Sequence, residues 1–152
     1  MVIKLTEQLY ENKASYIVIC EDISKIGNDN SLLFNPFMMK RLALPIKFVF
    51  SIAMGLRVNN LTLESAEMKV FNPSLEVISE LDLKELYFTN EKCLNEDGSR
   101  IDTIIGIRIE MTSDDGVLFD DEGEYYIKVF VNNIVIGETF FMIAAEIGEL
   151  DE

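Results

Sequence analysis

A short motif in the last third of the chain constrains its fold more than any other feature. The residues Asp121-Glu122-Gly123-Glu124-Tyr125 read Asp-x-Gly-x-Tyr and run directly into an alternating apolar segment, Tyr126 to Val129. This pattern is typical of a tyrosine corner, in which a tyrosine hydroxyl bonds to backbone a few residues upstream at the start of a strand. The motif predicts a β-sandwich and carries no chemistry of its own.

The chain length of 152 residues suits a single domain. Folding should bury roughly 70% of the surface that an unfolded chain of this size exposes, so neither a metal nor a disulfide is needed for stability. We predict one β-sandwich domain over residues 1–145, followed by an acidic, flexible tail over residues 146–152.

Strand signals recur about every ten residues with turn residues between them, and this spacing is typical of a sandwich or barrel. The predicted strands are Ser15 to Glu21, Ser31 to Phe34, Pro45 to Met54, Leu61 to Phe71, Leu75 to Ser79, Ile101 to Met111, Glu124 to Val131 and Ile134 to Ile143. Helix is an alternative for Thr62 to Met68, and a short helix or irregular crossover is expected over Asp82 to Asn90. The sequence therefore predicts an all-β, immunoglobulin-like antiparallel β-sandwich of about seven or eight strands, with one short helix at most.

The last two predicted strands form the best hairpin in the sequence. The turn Asn132-Asn133 suits a two-residue type I′ turn, because asparagine tolerates positive φ angles. Pairing across this turn sets Val129 against Ile136, and a bulge at Gly137 would shift the residues beyond it to the other face.

Several short motifs resemble a bacterial family of uncharacterised immunoglobulin-like β-sandwich domains. They are Ile19-Cys20-Glu21-Asp22-Ile23 with Gly27, Leu32-Leu33-Phe34, Leu44-Pro45 before a long alternating strand, and Gly123-x-Tyr125 before the final hairpin. The chain departs from the pattern at Asn72-Pro73-Ser74, where a sandwich turn often carries Asp-x-x-Gly. The resemblance implies an all-β sandwich and no assigned activity.

The chain is strongly acidic, with 13 basic against 27 acidic residues and a net charge of −14. Such a surface repels phosphates and anionic lipids, so we expect neither nucleic acid nor membrane as a partner. No apolar run approaches the roughly 20 residues that span a bilayer, and the N-terminus lacks a secretory-signal pattern. We therefore expect a cytoplasmic location, where Cys20 and Cys93 remain free thiols.

The absence of histidine excludes Ser-His and Cys-His nucleophile systems and the usual zinc triads. No glycine-rich phosphate loop occurs either, so we expect a protein that is not an enzyme and has no cofactor. One alternative is a calcium site, since calcium prefers carboxylate and carbonyl oxygens. Its ligands would come from the acidic loop of Asp114, Asp115, Asp120, Asp121 and Glu122, with Asp97 or Asp29 at the same end of the sandwich.

The segment from Phe37 to Leu44 is the candidate partner-binding site. It is either a helical turn that covers the open end of the sandwich or an exposed loop. The candidate binding residues are Phe37, Met38, Met39, Lys40 and Arg41, which include the chain's one adjacent basic pair. Methionine-rich exposed surfaces suit adaptable binding. If the segment covers the open end, Phe37 and one methionine would plug the core.

We expect a non-enzymatic protein-interaction module that binds a protein partner, or a second copy of itself, through an exposed edge strand or through the Phe37–Leu44 loop. An alternative function follows from the net charge of −14: an acidic decoy that inhibits a basic nucleic-acid-binding protein. That function requires acidic side chains laid along one elongated face.

Overall fold

The computed structural model describes residues 11–27, 30–88 and 104–146, and most of them lie in strands. The strands are β1 (Lys13–Ile26), β2 (Asn30–Pro36), β3 (Met39–Leu42), β4 (Ile46–Phe48), β5 (Ser51–Asn59), β6 (Ala66–Phe71), β7 (Val77–Asp82), β8 (Ile104–Thr112), β9 (Val117–Phe119), β10 (Gly123–Val131) and β11 (Ile134–Ala145). A short helical turn of the π type covers Lys84–Phe88, inside the segment where a short helix was predicted. Among the described residues, no helix is long and apolar enough to cross a membrane.

Two main sheets form the sandwich that the sequence predicted. The four-stranded sheet has the order β2-β1-β5-β8, the five-stranded sheet has the order β3-β11-β10-β6-β7, and β4 pairs with β9 in a small third sheet. The orders β1-β5-β8 and β11-β10-β6 match the A-B-E and G-F-C orders of immunoglobulin domains. The all-β sandwich class is therefore confirmed, with eleven described strands in place of seven or eight.

One pairing departs from the predicted antiparallel pattern. Strand β3 runs parallel to β11, with Met39 beside Met142 and Leu42 beside Ala145. The chain leaves the four-stranded sheet at Phe37, whose N–H still donates to the Ile19 carbonyl at 3.0 Å. It then enters the five-stranded sheet without reversing direction, so it meets β11 in the same orientation.

The tyrosine corner is confirmed. Tyr125 is fully buried, and its hydroxyl donates to the Asp121 carbonyl at 2.7 Å. Gly123 adopts a φ of 137°, and a Cβ there would lie 2.9 Å from the Pro73 ring. The Tyr125 ring packs edge-on against Phe119 with a centroid separation of 4.9 Å. The corner therefore ties the acidic loop to the sandwich core.

Replacing Tyr125 with phenylalanine should lower the free energy of unfolding by about 1–2 kcal/mol at neutral pH, because the Asp121 carbonyl loses its donor. Burial raises the pKa of Tyr125 above its ordinary value of 10.0. The unfolded state therefore ionises first, and the stability from this group is lost as pH rises through the folded-state pKa. Urea unfolding from pH 7 to 11 should show the gap between Tyr125→Phe and the parent shrinking above about pH 10. A difference in the free energy of unfolding that stays constant or widens over this range would contradict a folded state in which the Tyr125 phenol is buried.

The final hairpin has the predicted turn and a corrected register. Asn132 and Asn133 adopt φ angles of 51° and 64°, as a type I′ turn requires. Val129 pairs with Gly137 and not with Ile136, so the predicted pair Val129–Ile136 is wrong. Ile136 and Gly137 together oppose Val129, which is the bulge that Gly137 indicated.

Two other predicted strands have different bounds in the structure. The alternating stretch Pro45 to Met54 divides into β4 and β5, with Val49 and Phe50 outside both strands. The Phe50 N–H donates to Ser113 Oγ at 3.1 Å, and the Ser113 N–H donates to the Phe50 carbonyl at 2.9 Å. In the other stretch, the part from Ala66 to Phe71 forms β6 and the part from Thr62 to Ser65 is a non-helical loop, so the helical alternative for Thr62 to Met68 is wrong.

The four-stranded sheet is buried on both faces near its centre. Cys20, Ser51 and Ala53 point away from the core between the sheets, yet each is at most 3% exposed. The β1–β2 hairpin covers them, since Ser31 Oγ on β2 donates to a Glu110 carboxylate oxygen on β8 at 2.7 Å although two strands separate β2 from β8. The five-stranded sheet keeps the more exposed outer face.

Candidate functional site

The segment predicted as a partner-binding loop forms an edge strand. Residues Met39–Leu42 are β3, and β3 has β11 as its single neighbour among the described strands. The prediction of a loop or helical turn over Phe37 to Leu44 is therefore wrong. The correction unites the two surfaces proposed from the sequence, because this segment is itself an exposed edge strand.

The apolar residues of this segment divide between core and surface. Phe37 is half-buried, and its ring meets Phe48 and Phe141 edge-on at centroid separations of 6.1 and 6.2 Å. Met38 and Met39 are 72% and 51% exposed. The predicted plug of Phe37 with one methionine is therefore correct for Phe37 alone, and both methionines face solvent.

The two basic residues of the segment, Lys40 and Arg41, differ in their surroundings. The Lys40 ammonium pairs with a Glu21 carboxylate and lies 5.6 Å from the centroid of the Phe37 ring. These contacts hold Lys40 against the protein. Arg41 is exposed and lies on the same face of β3 as Met39, because side chains alternate along a strand. The structure thus leaves Met38, Met39 and Arg41 exposed to solvent, with Met39 and Arg41 on one face of β3, and it holds Phe37 and Lys40 against the rest of the protein.

The backbone of β3 has one edge that β11 does not use. The carbonyls of Met38 and Leu42 accept hydrogen bonds from the N–H groups of Met142 and Glu146 at 2.7 and 2.8 Å. In a parallel ladder, alternate residues direct both backbone groups to the same neighbour. Met39 and Arg41 therefore direct their N–H and carbonyl groups away from β11, where an added strand could bind them.

Two residues of β11 extend this surface. Met142 is 42% exposed and lies beside Met39, and Phe140 is 46% exposed on the same outer face. We define the β3 edge surface as Met38, Met39, Arg41, Phe140 and Met142. Sequence reasoning missed the two β11 residues because the bulge before them decides which face they occupy. Gly137 was the signal that could have identified them.

The acidic loop does not assemble a calcium site in the described part of the chain. Asp114 and Asp115 lie between β8 and β9, whereas Asp120, Asp121 and Glu122 lie between β9 and β10. No three metal-ligating side chains converge within the described ranges. A Glu122 carboxylate oxygen instead accepts the Ala145 N–H at 2.6 Å. Asp97 and Asp29 lie outside the described residues.

The acidic side chains do not share one face. Exposed acids occur on the four-stranded sheet (Asp22), on the five-stranded sheet (Glu80 and Glu138) and in loops (Glu64 and Asp115). An acidic decoy requires a single elongated acidic face, and the described acids are distributed over several. This distribution counts against the decoy function.

The thiol of Cys20 is buried in the four-stranded sheet, where its Sγ lies 3.7 Å from the Ser51 carbonyl oxygen. Burial raises its pKa, and the negative charge of Asp22 adds to the effect. A thiol with a raised pKa and no access to solvent is a poor nucleophile. Cys93 lies outside the described residues.

Comparisons with known proteins yield a fold likeness only. No protein-family model matches the chain, and no curated protein is significantly similar to it. Among solved structures, it is similar to an immunoglobulin-like protein (PA1606) from Pseudomonas aeruginosa, with 11% identity and a TM-score of 0.40. The match covers 88% of this chain and 97% of that one. The bacterial family named above therefore stays a resemblance.

Proposed function

We propose that this protein is a non-enzymatic interaction module that binds an extended segment of a partner protein along β3. The observation that carries the proposal is the free backbone edge at Met39 and Arg41, beside methionine side chains that are 72% and 51% exposed. A strand added to a sheet edge gains affinity from main-chain hydrogen bonds and specificity from alternate side chains.

The side chains beside this edge suit such a partner. A residue paired with Met39 on an added strand would point to the outer face, where Met39 and Met142 already lie side by side. Methionine side chains adapt to partners of different shape, which favours an apolar residue at that position. Exposed apolar side chains that continue from an open edge are typical of a docking surface.

Charge favours a different protein over a second copy of this chain as the partner. Two copies would each carry a net charge of −14, and this repulsion opposes their pairing. The outward-facing charge on β3 is Arg41, which favours an acidic residue on the bound segment. The partner class is therefore a protein with an extended apolar segment that carries an acidic side chain.

Replacing Met39 with proline should weaken partner binding by about tenfold or more. Proline removes the N–H that faces away from β11, and it is tolerated on an edge strand at such a position. One lost backbone hydrogen bond together with the bulk of the ring accounts for about 1.4 kcal/mol or more, which is tenfold in affinity. Met39→Thr is the matched control, because threonine keeps the N–H and favours strands.

The measurement is a tagged pull-down from native lysate at low and high salt. The captured protein is then titrated against the parent, Met39→Pro and Met39→Thr. We expect one partner that survives high salt, binds Met39→Thr within a few-fold of the parent and loses affinity for Met39→Pro. Equal affinity of the partner for the parent and for Met39→Pro would contradict binding along the β3 edge. Capture of a basic nucleic-acid-binding protein at low salt alone would favour the decoy, and an empty eluate would contradict both functions.

A further inference from the structure

Strand β11 ends beside β3, next to the backbone edge that β11 does not use. The two strands run parallel, with Leu42 beside Ala145 at their C-terminal ends, and the Glu146 N–H donates to the Leu42 carbonyl at 2.8 Å. The residues that follow, 147–152, lie outside the described residues. This tail therefore starts two strand spacings from the position that a strand added to the free edge of β3 would take.

The six residues of the tail are long enough to reach that position. Two strand spacings amount to about 10 Å, and an extended chain spans at most about 3.3–3.6 Å per residue. About three residues therefore carry the chain across the C-terminal end of β3, and about three remain to run back along its free edge, antiparallel to β3. Gly148 lies in the crossing part, where a glycine permits the change of direction.

The side chains of the tail match the partner class proposed for β3, an extended apolar segment with an acidic side chain. Residues 150–152 are Leu150-Asp151-Glu152, and Leu150 and Glu152 share one face because side chains alternate along a strand. With residues 147–149 in the crossing, Leu150 lies opposite Arg41 and Glu152 lies opposite Met39. Each then has the other β3 residue as its diagonal neighbour, within reach of long side chains.

We infer that residues 147–152 bind along the free edge of β3 in the same molecule and compete there with the partner segment. The inference rests on the proposed function, since it concerns the same backbone groups of Met39 and Arg41. A short tether gives an effective concentration on the order of millimolar, so a contact that is weak between separate molecules is populated within one chain. A partner binds only the chains with an open edge, and its apparent affinity falls in proportion.

Amide hydrogen exchange along β3 tests this inference without a partner. The N–H groups of Met39 and Arg41 face the free edge, whereas the N–H of Lys40 faces β11 and is the internal control. Ending the chain after Glu146 should speed exchange at Met39 and Arg41 by about tenfold, as expected for an effective concentration about ten times the dissociation constant of the tail. Exchange at Lys40 should not change. An acetylated peptide of residues 147–152, added at millimolar concentration, should restore part of the protection.

Two single substitutions keep the tail and change one of its faces. Leu150→Ser removes the apolar side chain from the face that Met39 occupies and should speed exchange at Met39 and Arg41 by about two- to fivefold, the contribution of a cross-strand pair. Asp151→Ser is the matched control, because Asp151 points to the opposite face, and it should change these rates little. A partner captured through β3 should bind the chain that ends at Glu146 about tenfold more tightly than the parent.

The outcomes distinguish the tail from the edge itself. Fast exchange at Met39 and Arg41 in both the parent and the shortened chain would overturn the tail inference and leave the free edge of the proposed function intact. Slow exchange at both residues in both chains would mean that other groups occupy the edge, and it would contradict the inference and the proposed function together. Faster exchange at Lys40 in the shortened chain would mean that the tail supports β3 as a whole, and it would overturn the competition.

Discussion

Replacing Phe119 with alanine should lower the free energy of unfolding by about 3–5 kcal/mol, the largest loss expected from any single change considered for this chain. Phe119 is fully buried on the three-residue strand β9. Its ring lies within 6.4 Å, centroid to centroid, of four other aromatic rings: Phe48, Phe50, Tyr125 and Phe141. Removing it leaves a cavity that these rigid neighbours cannot close.

The position of Phe119 explains why one side chain matters so much. Phe50 directly precedes β5 in the four-stranded sheet, whereas Tyr125 and Phe141 belong to β10 and β11 in the five-stranded sheet. Phe119 touches rings from both sides, and β9 itself pairs only with the short strand β4 among the described strands. A domain of this size is stable by about 5–15 kcal/mol, so the loss removes a large share of its stability.

Urea denaturation of Phe119→Ala, Phe119→Leu and Phe140→Ala measures this effect. Leucine keeps most of the apolar bulk and should lose less than alanine. Phe140 is 46% exposed on β11, so its replacement by alanine should change stability by about 0.5 kcal/mol or less. Similar losses for Phe119→Ala and Phe140→Ala would show that Phe119 does not hold the two sheets together.

The features that sequence predicted correctly are local. The tyrosine corner depends on Tyr125 reaching a carbonyl four residues upstream, and the hairpin depends on the two asparagines between β10 and β11. In each case the residues that make the contact are close in sequence, so their identities and spacing determine the geometry. These motifs were sufficient to predict an all-β sandwich.

The candidate site was harder to predict because distant strands define it. Met39–Leu42 is a strand because β11 offers it a parallel partner about a hundred residues later in the chain. The sequence around Lys40 and Arg41 lacks the apolar alternation that marks a strand by itself.

Gly137 presents a packing constraint between the sheets that the sequence did not reveal. It faces inward on β11 beside the buried Val129, and a Cβ added there would lie 2.3 Å from the Ala14 Cβ on β1. Real Cβ atoms essentially never approach so closely, and both of these atoms are fixed by their backbones. The absence of a side chain at Gly137 therefore lets β11 and β1 approach.

Gly137→Ala should consequently lower the free energy of unfolding by about 1–3 kcal/mol, as overpacking of a core does. Gly106→Ala is the matched control, since no described atom lies within 4 Å of a Cβ at that position on β8, and it should be near neutral. The double variant Ala14→Gly with Gly137→Ala removes the clashing methyl group. It should therefore recover much of the loss, with a coupling energy of about 1 kcal/mol or more by thermal and urea unfolding. Purely additive losses in the double variant would mean that β1 and β11 do not meet at these two residues, and that Gly137 is needed for the bulge alone.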